Sequence, residues 1–408
     1  MTPAKKILIL SLSYYPNFIG GAEVAIKEIT DRIPQSDLEF HMVTLRYDSA
    51  LPRVSREGNV LVHRIGFSRP HPSMADLKKF PLHYNKLLFQ FTAALKASSL
   101  HRTEQYDAIW AMMAHSSGVP AALFKLSHPD VPYILTLQEG DPPEYIEKLM
   151  RPLWPLFSRA FTTADIVDAE STFLGKWARR RGFSGPLEVI PNAVDTQYFA
   201  RGVSPDVLAS LRRSLGKKEG DIYLITTSRL VRKNAVDDVL SALPLLPESV
   251  HFLILGIGPD EDKLRALAKK LGVEKRAHFL GQIAQAELPS YLGISDIFIR
   301  PSRSEGMGNS FIEAMAAGLP VIATQEGGIA DFLFDARRDP GAAPTGFAVD
   351  RDSPEQIARA VERIISNPGE VEEAVRNARD LVFKKYDWNI IARDMREKVF
   401  GRALKNHV

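Results

Sequence analysis

Two glutamates flank a short glycine-bearing loop in the segment IRPSRSEGMGNSFIEAMAAGLPVIAT, residues 299–324. Glu305 stands in the loop, and Glu313 follows eight residues later, about one turn into a predicted helix. Backbone N–H groups at a helix start, aided by the helix dipole, form an anion site. Glycines let the backbone approach a phosphate closely. The segment therefore predicts a ligand that carries phosphates and hydroxyls, with one carboxylate on a sugar and the other on a ribose diol.

The elements that must position this loop follow a rhythm of short apolar strand, turn and helix. Strands alternating with helices predict parallel sheets covered on both faces. The rhythm restarts near residues 191–202, so we predict an α/β protein of two doubly wound Rossmann-like domains. We place the domains at 1–195 and 196–384, and at 385–408 a final helix that crosses back to the first domain. Ligands of such sheets bind at the carboxyl ends of the strands, and the cleft between two domains is the default site.

The composition excludes several classes of protein. Apolar residues make up 45% of the 408 residues and charged residues 25%, which is typical of a globular protein. The absence of cysteine excludes disulfides, thiol catalysis and thiolate-bound metals. A net charge of +3 does not indicate a nucleic-acid binder.

No apolar run approaches the roughly 20 residues that span a bilayer. The start, Lys5-Lys6 followed by ILILSLSYY, resembles a signal peptide, but a buried first strand explains it better, so we expect a cytoplasmic protein. Residues 46–102 carry ten Lys or Arg against three Asp or Glu, around a predicted amphipathic helix at 82–100 with exposed Lys86 and Lys96. This basic segment is a peripheral contact with an anionic membrane or an ordinary solvated face.

The segment that begins at Glu305 resembles the E-x7-E signature of the retaining family 4 glycosyltransferases. Their GT-B fold consists of two Rossmann-like domains facing across a cleft. The resemblance implies that Glu305 lies beside the donor sugar and that Glu313 binds the ribose of the nucleotide. It also implies a phosphate and sugar loop formed by Gly306, Met307, Gly308, Asn309 and Ser310.

The segment TTSRLVRKN, residues 226–234, adds two cations. The resemblance implies that Arg229 and a lysine a few residues later bind the donor diphosphate. The family most often has this lysine five positions after the arginine, where this chain has Asn234, so we assign the role to Lys233. Fixed cations in a dry cleft stabilise the charge of a departing nucleoside diphosphate. A lone Arg or Lys is more often part of a surface ion pair.

Four shorter segments extend the resemblance. In GGAE, Gly20 and Gly21 match the N-terminal glycine loop, which meets the donor phosphate and the acceptor. PNAVD, residues 191–195, matches the domain junction. In LILGIGPDEDKL, Gly256 matches a G-x-G-P turn, and the third glycine of a dinucleotide fingerprint is absent. In FLGQI, the loop with Ile283 meets the base through its backbone.

The N-terminal half departs from the family at one position. Many members carry a histidine that contacts the donor sugar at the end of a middle strand, where this chain has Gln138. Gln138 can form hydrogen bonds with a sugar but cannot shuttle a proton. His115, after the preceding strand, is a candidate for acceptor contact, or an ordinary loop histidine.

We therefore predict a retaining glycosyltransferase that moves a sugar from a nucleotide-diphosphate-sugar donor to a hydroxyl of a carbohydrate or lipid-linked acceptor in polysaccharide or glycolipid assembly. Asp260/Asp262 and Asp350/Asp352 have D-x-D spacing, but acidic residues at helix starts need no metal, and we expect neither metal nor cofactor. Two alternatives are a nucleotide-sugar 2-epimerase of similar fold and a non-catalytic nucleotide-sugar binder. The sequence leaves the base, the sugar and the acceptor open.

Overall fold

A computed structural model describes residues 4–73 and 75–405. The chain forms two compact units, which we call unit 1 and unit 2. Unit 1 comprises Met1–Asn192 with Trp388–Val408, and unit 2 comprises Ala193–Asp387. The units divide at residues 192–193 and 387–388, where the sequence analysis placed 195–196 and 384–385.

Among the described residues, the sheet of unit 1 has eight strands: β1 Lys5–Leu10, β2 Leu38–Leu45, β3 Val54–Glu57, β4 Val60–Ile65, β5 Ala108–Met112, β6 Tyr133–Leu137, β7 Ile166–Ala169 and β8 Leu187–Val189. Their order is β3-β4-β2-β1-β5-β6-β7-β8. Neighbouring strands are parallel except the edge pair β3 and β4. β3 was not predicted, because its residues VSRE form no apolar run.

Helices pack against the two faces of this sheet: α1 Gly21–Asp31, α2 Asn85–Glu104, α3 Val119–Ser127, α4 Pro143–Leu149, α5 Trp154–Thr162 and α6 Thr172–Arg180. Successive residues of a strand point to opposite faces. Leu8 and Leu10 of β1 accordingly face one core, which they share with Phe89 of α2 and Phe124 of α3.

The helix α2 differs from the amphipathic helix predicted at residues 82–100. It begins later and carries apolar side chains on both sides. Phe89, Ala93 and Ala97 are buried, whereas Leu87 and Leu95 are exposed to 54% and 71%. The outward apolar residues mean that unit 1 covers only one side of this helix.

The sheet of unit 2 has six parallel strands: β9 Ile222–Thr227, β10 Val250–Leu255, β11 Ala277–Gly281, β12 Ile297–Arg300, β13 Val321–Ala323 and β14 Phe347–Ala348. Their order is β11-β10-β9-β12-β13-β14. The helices are α7 Thr196–Ala200, α8 Pro205–Ser214, α9 Val236–Ala242, α10 Glu261–Lys270, α11 Leu288–Ile294, α12 Asn309–Ala317, α13 Pro354–Ser366 and α14 Pro368–Lys385. Alternate residues of β9 enter separate apolar cores, Leu224 in one and Tyr223 in the other. A parallel sheet covered on both faces requires this arrangement.

The C-terminal segment returns to unit 1. It consists of α15 Trp388–Asp394, a π-helical turn Met395–Phe400 and α16 Gly401–Lys405. Phe400 is buried, and its ring centroid lies 5.1 Å from that of Trp110 in β5 and 5.8 Å from that of Phe40 in β2. This segment therefore supplies core residues to a sheet whose contacting residues, Trp110 and Phe40, lie 290 and 360 residues earlier in the chain.

Candidate active site

The carboxyl edge of the unit 2 sheet brings together two of the loops that carry candidate residues. β9 and β12 are neighbours in the sheet, and the strands next in sequence to β9 lie on its other side. Open α/β sheets bind ligands beyond the strand ends at such a switch point. The loop after β9 carries Arg229 and Lys233, and the loop after β12 carries Glu305.

The loop after β9 contains a short 3-10 turn, Arg232–Asn234. The side-chain amide of Asn234 donates to the Arg229 carbonyl at 2.7 Å, and Asn234 is buried. Asn234 thus closes the turn by a local hydrogen bond. Arg229 is exposed and Lys233 is half-buried, so the turn keeps both cations at the edge of the sheet.

Arg303, which the sequence analysis did not single out, joins the loops after β9 and β12. Its backbone N–H donates to the Lys233 carbonyl at 2.7 Å. Its guanidinium donates to the Arg232 carbonyl at 2.7 Å. These bonds hold the diphosphate candidate Lys233 against the loop that leads to Glu305.

Three carboxylates surround the Arg303 guanidinium: Asp237 at 2.9 Å, Asp238 at 2.7 Å and Asp352 at 2.6 Å. Burial opposes its charge, but the hydrogen bonds that it donates to Asp237 and Asp352 raise the pKa of Arg303 above its ordinary value. Burial also raises the pKa of Asp238 to about 6, although Arg303 favours its ionised form. The cluster is thus a charged anchor for both loops.

The loop before α12 requires glycine at position 308. Gly308 has φ +87°, and a Cβ there would lie 2.8 Å from the Phe311 ring and 3.2 Å from Nη2 of Arg300. Asn309 and Ser310 begin α12 directly after it, and Gly306 is buried. The side chain of Met307 is buried in the core of unit 2. The Met307 side chain therefore anchors the loop in the core, and the backbone of the loop is the part that can face a phosphate.

A buried ion pair lies beneath this loop. The guanidinium of Arg300, the last residue of β12, forms a salt bridge with Glu305 and donates to the hydroxyls of Ser310 at 2.6 Å and Ser302 at 3.0 Å. Burial lowers the pKa of Arg300 to about 10, so the group remains charged at neutral pH. Arg300 was not predicted as a site residue, although a charged residue at the end of an apolar strand was an available signal.

Glu313 lies one turn into α12, near the same guanidinium. The amide of Gln285, in the loop after β11, donates to the Glu313 carboxylate at 2.9 Å. Burial raises the pKa of Glu313, against the opposing effects of Gln285 and Arg300. Both signature glutamates therefore lie within the electrostatic reach of Arg300.

Glycine allows the loops after β9 and β10 to pass each other closely. Gly256 has φ +141°, and a Cβ there would overlap the carbonyl of Ser228. Ile283, after β11, is half-buried and packs on the same core as Met307. The residues expected to meet the nucleotide thus lie on loops at one end of the unit 2 sheet.

Gly20 and Gly21 lie at the start of α1, after β1 of unit 1. The N–H of Gly20 donates to the Glu23 carboxylate at 2.9 Å, and the Ser13 hydroxyl donates to the same carboxylate at 2.6 Å. Glu23 therefore caps the helix start that the sequence analysis assigned to a phosphate. A Cβ on Gly21 would lie 3.8 Å from the amide nitrogen of Asn192.

Gln138 and His115 follow neighbouring strands of unit 1. The Gln138 amide donates to Asn192 at 2.9 Å, and Asn192 donates to Glu170 at 2.9 Å. Asn192 belongs to the PNAVD segment and thus serves as a hydrogen-bonding residue. His115 lies in a π-helical turn after β5, with its Nδ1 3.5 Å from a carboxylate oxygen of Glu139.

One of the two Asp-x-Asp pairs is held by arginines, since Asp352 pairs with Arg303 at 2.6 Å and Asp350 with Arg338 at 2.8 Å. Within residues 4–73 and 75–405, no group of three or more His, Asp and Glu side chains could hold a metal. Metal independence stays a prediction. None of the helices in the described part of the chain is long and apolar enough to cross a membrane.

Two family models match the chain and together span most of it. The model described as Glycosyltransferase Family 4 matches residues 19–198. The model described as Glycosyl transferases group 1 matches residues 209–381, which include Arg229, Glu305 and Glu313. The chain belongs to the family 4 glycosyltransferases.

This glycosyltransferase resembles curated relatives over long stretches. It is 24% identical to an uncharacterized glycosyltransferase of Methanocaldococcus jannaschii, covering 95% of this chain and 96% of the relative. It is 30% identical to the GDP-mannose-dependent alpha-(1-6)-phosphatidylinositol monomannoside mannosyltransferase of Mycolicibacterium smegmatis, covering 59% of this chain and 63% of that protein.

A solved structure agrees in fold. Anabaena HepE in complex with UDP and glucose superposes with a TM-score of 0.74 and 21% identity, covering 97% of this chain and 100% of that one. The predicted fold class, two α/β domains of the GT-B type, is confirmed for this glycosyltransferase.

Proposed function

We propose that this glycosyltransferase transfers a hexose from a nucleotide-diphosphate-sugar to an acceptor hydroxyl with retention of anomeric configuration, and without a metal. One observation carries the proposal. The loops after β9 and β12 are hydrogen-bonded to each other through Arg303 and Lys233 at 2.7 Å, at the switch point of the unit 2 sheet. This contact puts the cations and the signature glutamates at one edge.

Each residue has a chemical task in this proposal. Arg229 and Lys233 bind the diphosphate and stabilise the negative charge that develops on it as it leaves. The backbone N–H groups at the start of α12 add a partial positive charge. The Glu313 carboxylate accepts hydrogen bonds from the ribose diol. Glu305, held by Arg300, lies on the sugar side.

Retention follows from the position of the base. The acceptor hydroxyl attacks C1 of the sugar from the side of the leaving group, and an oxygen of the leaving diphosphate takes its proton. The C1–O bond to the phosphate breaks with its electron pair on the diphosphate, while the new C1–O bond forms on the same face. Support comes from Arg229 and Lys233, because two cations stabilise the negative charge that develops on the departing diphosphate.

The donor is a UDP-sugar or a GDP-sugar. A relative is named as GDP-mannose-dependent, and a structural neighbour binds UDP. The test is a thermal-shift panel of UDP, GDP, ADP and dTDP, each with EDTA and with Mg²⁺. A ligand that binds the folded state stabilises it by about 2.7 kcal/mol at roughly 100 times its dissociation constant. We expect one nucleotide to respond equally in both buffers.

Glu313→Ala tests the ribose contact. Loss of a hydrogen bond to a charged group should weaken the binding of the responding nucleotide by about 1.5–3 kcal/mol. Glu373→Ala, at an exposed position on α14, is the matched control and should bind like the original protein. No response to any nucleotide, or equal affinity in both variants, contradicts the proposal. Turnover of the nucleotide-sugar without an acceptor, giving an epimer, would instead support the epimerase.

We further propose that the acceptor is carried at the cytoplasmic face of the membrane and that α2 contacts the lipid. Leu87, Leu88, Phe91 and Leu95 form an exposed apolar stripe opposite the buried side of α2. Residues 77–103 contain five Lys or Arg and no Asp or Glu. An apolar stripe within a basic segment matches an anionic lipid surface. Like charges disfavour pairing with a second copy.

Vesicle sedimentation tests this contact. We expect binding to phosphatidylglycerol vesicles and much weaker binding to phosphatidylcholine vesicles. Leu87→Gln/Phe91→Gln/Leu95→Gln should abolish binding, and Lys78→Gln/Lys79→Gln should weaken it by about 2 kcal/mol at low salt. Leu245→Gln/Ile365→Gln, which changes exposed apolar residues of unit 2, is the control. Equal sedimentation of all variants rejects the membrane contact and leaves the nucleotide proposal intact.

A further inference from the structure

A cluster of unsatisfied polar atoms surrounds the turn that follows β5 in unit 1. Within the part of the chain that the structure describes, five buried atoms there have no hydrogen-bond partner: Gln90 Oε1, His115 Nδ1, Ser117 Oγ, Tyr133 OH and Glu139 Oε2. Buried polar groups are normally paired, so such a concentration needs an explanation. All five atoms are enclosed, so they mark a polar interior behind the turn, and a ligand can meet it only through a side chain that reaches the surface.

Glu139 is the central member of this cluster. Its side chain is fully buried, and its Oε1 accepts the backbone N–H of Ala114 at 2.6 Å. The same oxygen lies 3.5 Å from Nδ1 of His115. Among the described residues, no Lys or Arg lies within salt-bridge distance of this carboxylate. A buried carboxylate with a free oxygen is costly unless a donor fills the gap.

The backbone just before His115 has an unusual conformation. Met113, just after β5, has φ +67° and ψ +128°, which a residue other than glycine rarely adopts. The chain then makes a π-helical turn, Ala114–Gly118. Backbone strain of this kind, and π-helical turns, cluster at functional sites. Gln90 of α2 donates from its amide to the His115 and Ser116 carbonyls at 3.4 Å and 3.3 Å, which holds the turn.

The turn lies at a position where a ligand can reach it. β1 and β5 are neighbours, and β2 lies on the other side of β1, so this is the switch point of the unit 1 sheet. The His115 side chain is 30% exposed while its Nδ1 is buried. The exposed part of the ring is therefore the side away from Glu139.

We propose that this turn is a binding site for a hydroxyl of the carbohydrate acceptor, with His115 in contact with that hydroxyl and Glu139 as its positioning residue. When the sugar is bound, Nδ1–H of the neutral ring closes the present 3.5 Å separation and donates to Glu139, which leaves Nε2 as an acceptor for the sugar O–H. This inference rests on the proposed glycosyl transfer and assigns its acceptor side. The site lies on the inner side of α2, whose outer side carries the apolar stripe.

The first test measures the tautomer of His115 by ¹⁵N NMR, with His115→Gln used to assign the signals. We expect the Nδ1–H tautomer in the original protein and a larger share of the Nε2–H tautomer in Glu139→Gln, because the amide oxygen that stays on the Ala114 N–H accepts from Nδ1–H less strongly than the carboxylate does. Glu144→Gln, at an exposed position of unit 1, should leave the signals unchanged. An Nε2–H tautomer in the original protein overturns the assignment.

The second test titrates the protein with a panel of methyl hexopyranosides. A shift of the His115 Nε2 resonance with at least one glycoside, lost in Glu139→Gln, supports the site. No shift with any of them overturns it. In transfer assays, His115→Gln and Glu139→Gln should each raise the acceptor KM at least tenfold, and the double variant should add little. The thermal shift caused by the nucleotide should be the same in these variants as in the original protein. If the original protein itself shows no nucleotide thermal shift, the result contradicts the proposed function and not this acceptor site.

Discussion

Arg300 shows how one buried residue can serve both the fold and the site. It neutralises Glu305 beneath the loop and holds Ser310 at the start of α12. Removing one partner of a buried ion pair leaves an uncompensated charge, which costs about 3–5 kcal/mol, whereas replacing both partners is often neutral. Arg300→Met should therefore lower the free energy of unfolding by that amount.

The double variant Arg300→Met/Glu305→Leu separates the two roles. It should regain most of the stability in urea unfolding, yet show no transfer activity, because the sugar-side carboxylate is gone. Transfer activity in a stable double variant would show that Glu305 is dispensable. Failure to regain stability would show that the pair contributes more than charge neutralisation.

Asp168 in β7 is a second residue whose environment makes a testable difference. Burial raises its pKa to about 8, although the Thr136 hydroxyl donates to it at 3.1 Å. The folded protein thus binds a proton that the unfolded chain releases near the ordinary aspartate pKa. This contribution to stability is complete below that ordinary pKa and is lost as the pH rises through about 8.

Asp168→Asn should therefore gain stability relative to the original protein as the pH rises from 5 to 8. The difference between the two proteins should grow by up to about 1.4 kcal/mol per pH unit in urea unfolding. Asp130→Asn, an exposed position of unit 1, should follow the original protein at every pH. A constant difference between Asp168→Asn and the original protein would contradict the raised pKa.

At the scale of elements, the loops after β9 and β12 form one unit because Arg303 connects them. Arg303→Met should destabilise unit 2 by about 3–5 kcal/mol, since Asp238 is left buried without its partner. Burial raises the pKa of Asp238 to about 6, so below that pH the carboxyl is neutral and the loss should be smaller. Nucleotide affinity should also fall, because the guanidinium hydrogen bond to the Arg232 carbonyl, next to Lys233, is lost.

Arg338→Met is the matched control for this loop connection. Arg338 pairs with Asp350 at 2.8 Å at a more exposed position, and such surface pairs contribute about 0–1 kcal/mol. Urea unfolding at pH 5 and pH 8, with the nucleotide dissociation constant at each pH, makes the comparison. Equal effects of the two variants would mean that the loops hold together without Arg303.

At the scale of the whole molecule, the two units have separate cores, and the C-terminal segment belongs to unit 1. Phe400→Ala should destabilise unit 1 by about 3–5 kcal/mol, because it empties a space between Trp110 and Phe40. Phe298→Ala should do the same in unit 2, where Phe298 packs on Phe311. In differential scanning calorimetry, each variant should lower the midpoint temperature of a different unfolding transition.

The nucleotide that responds in the thermal-shift panel should raise the midpoint temperature of the unit 2 transition, the one that Phe298→Ala lowers. It should not change the midpoint temperature of the unit 1 transition, the one that Phe400→Ala lowers. A single transition that both variants and the nucleotide move together would show that the units unfold as one. This outcome would change the stability description and not the site.

Local sequence was sufficient for most elements of this chain. Buried parallel strands are continuous apolar runs, so β1, β5, β9 and β12 were recognisable without any knowledge of their neighbours. The start of α12 at Asn309 was likewise predicted, because the glycine loop and the helix that it opens are adjacent in sequence. Glu305 and Glu313 could be recognised for the same reason, because they lie within one short segment of the sequence.

Contacts between distant residues could not be read in this way. Arg303 meets Lys233 across 70 residues, and Gln138 meets Asn192 across 54. The edge strand β3 is held by its pairing with β4 and not by its own apolar residues. Which side of α2 is covered depends on the elements that pack against it. Hydrogen bonds and burial of this kind depend on how the chain brings distant segments together, whereas an apolar period or a glycine turn is a property of neighbouring residues.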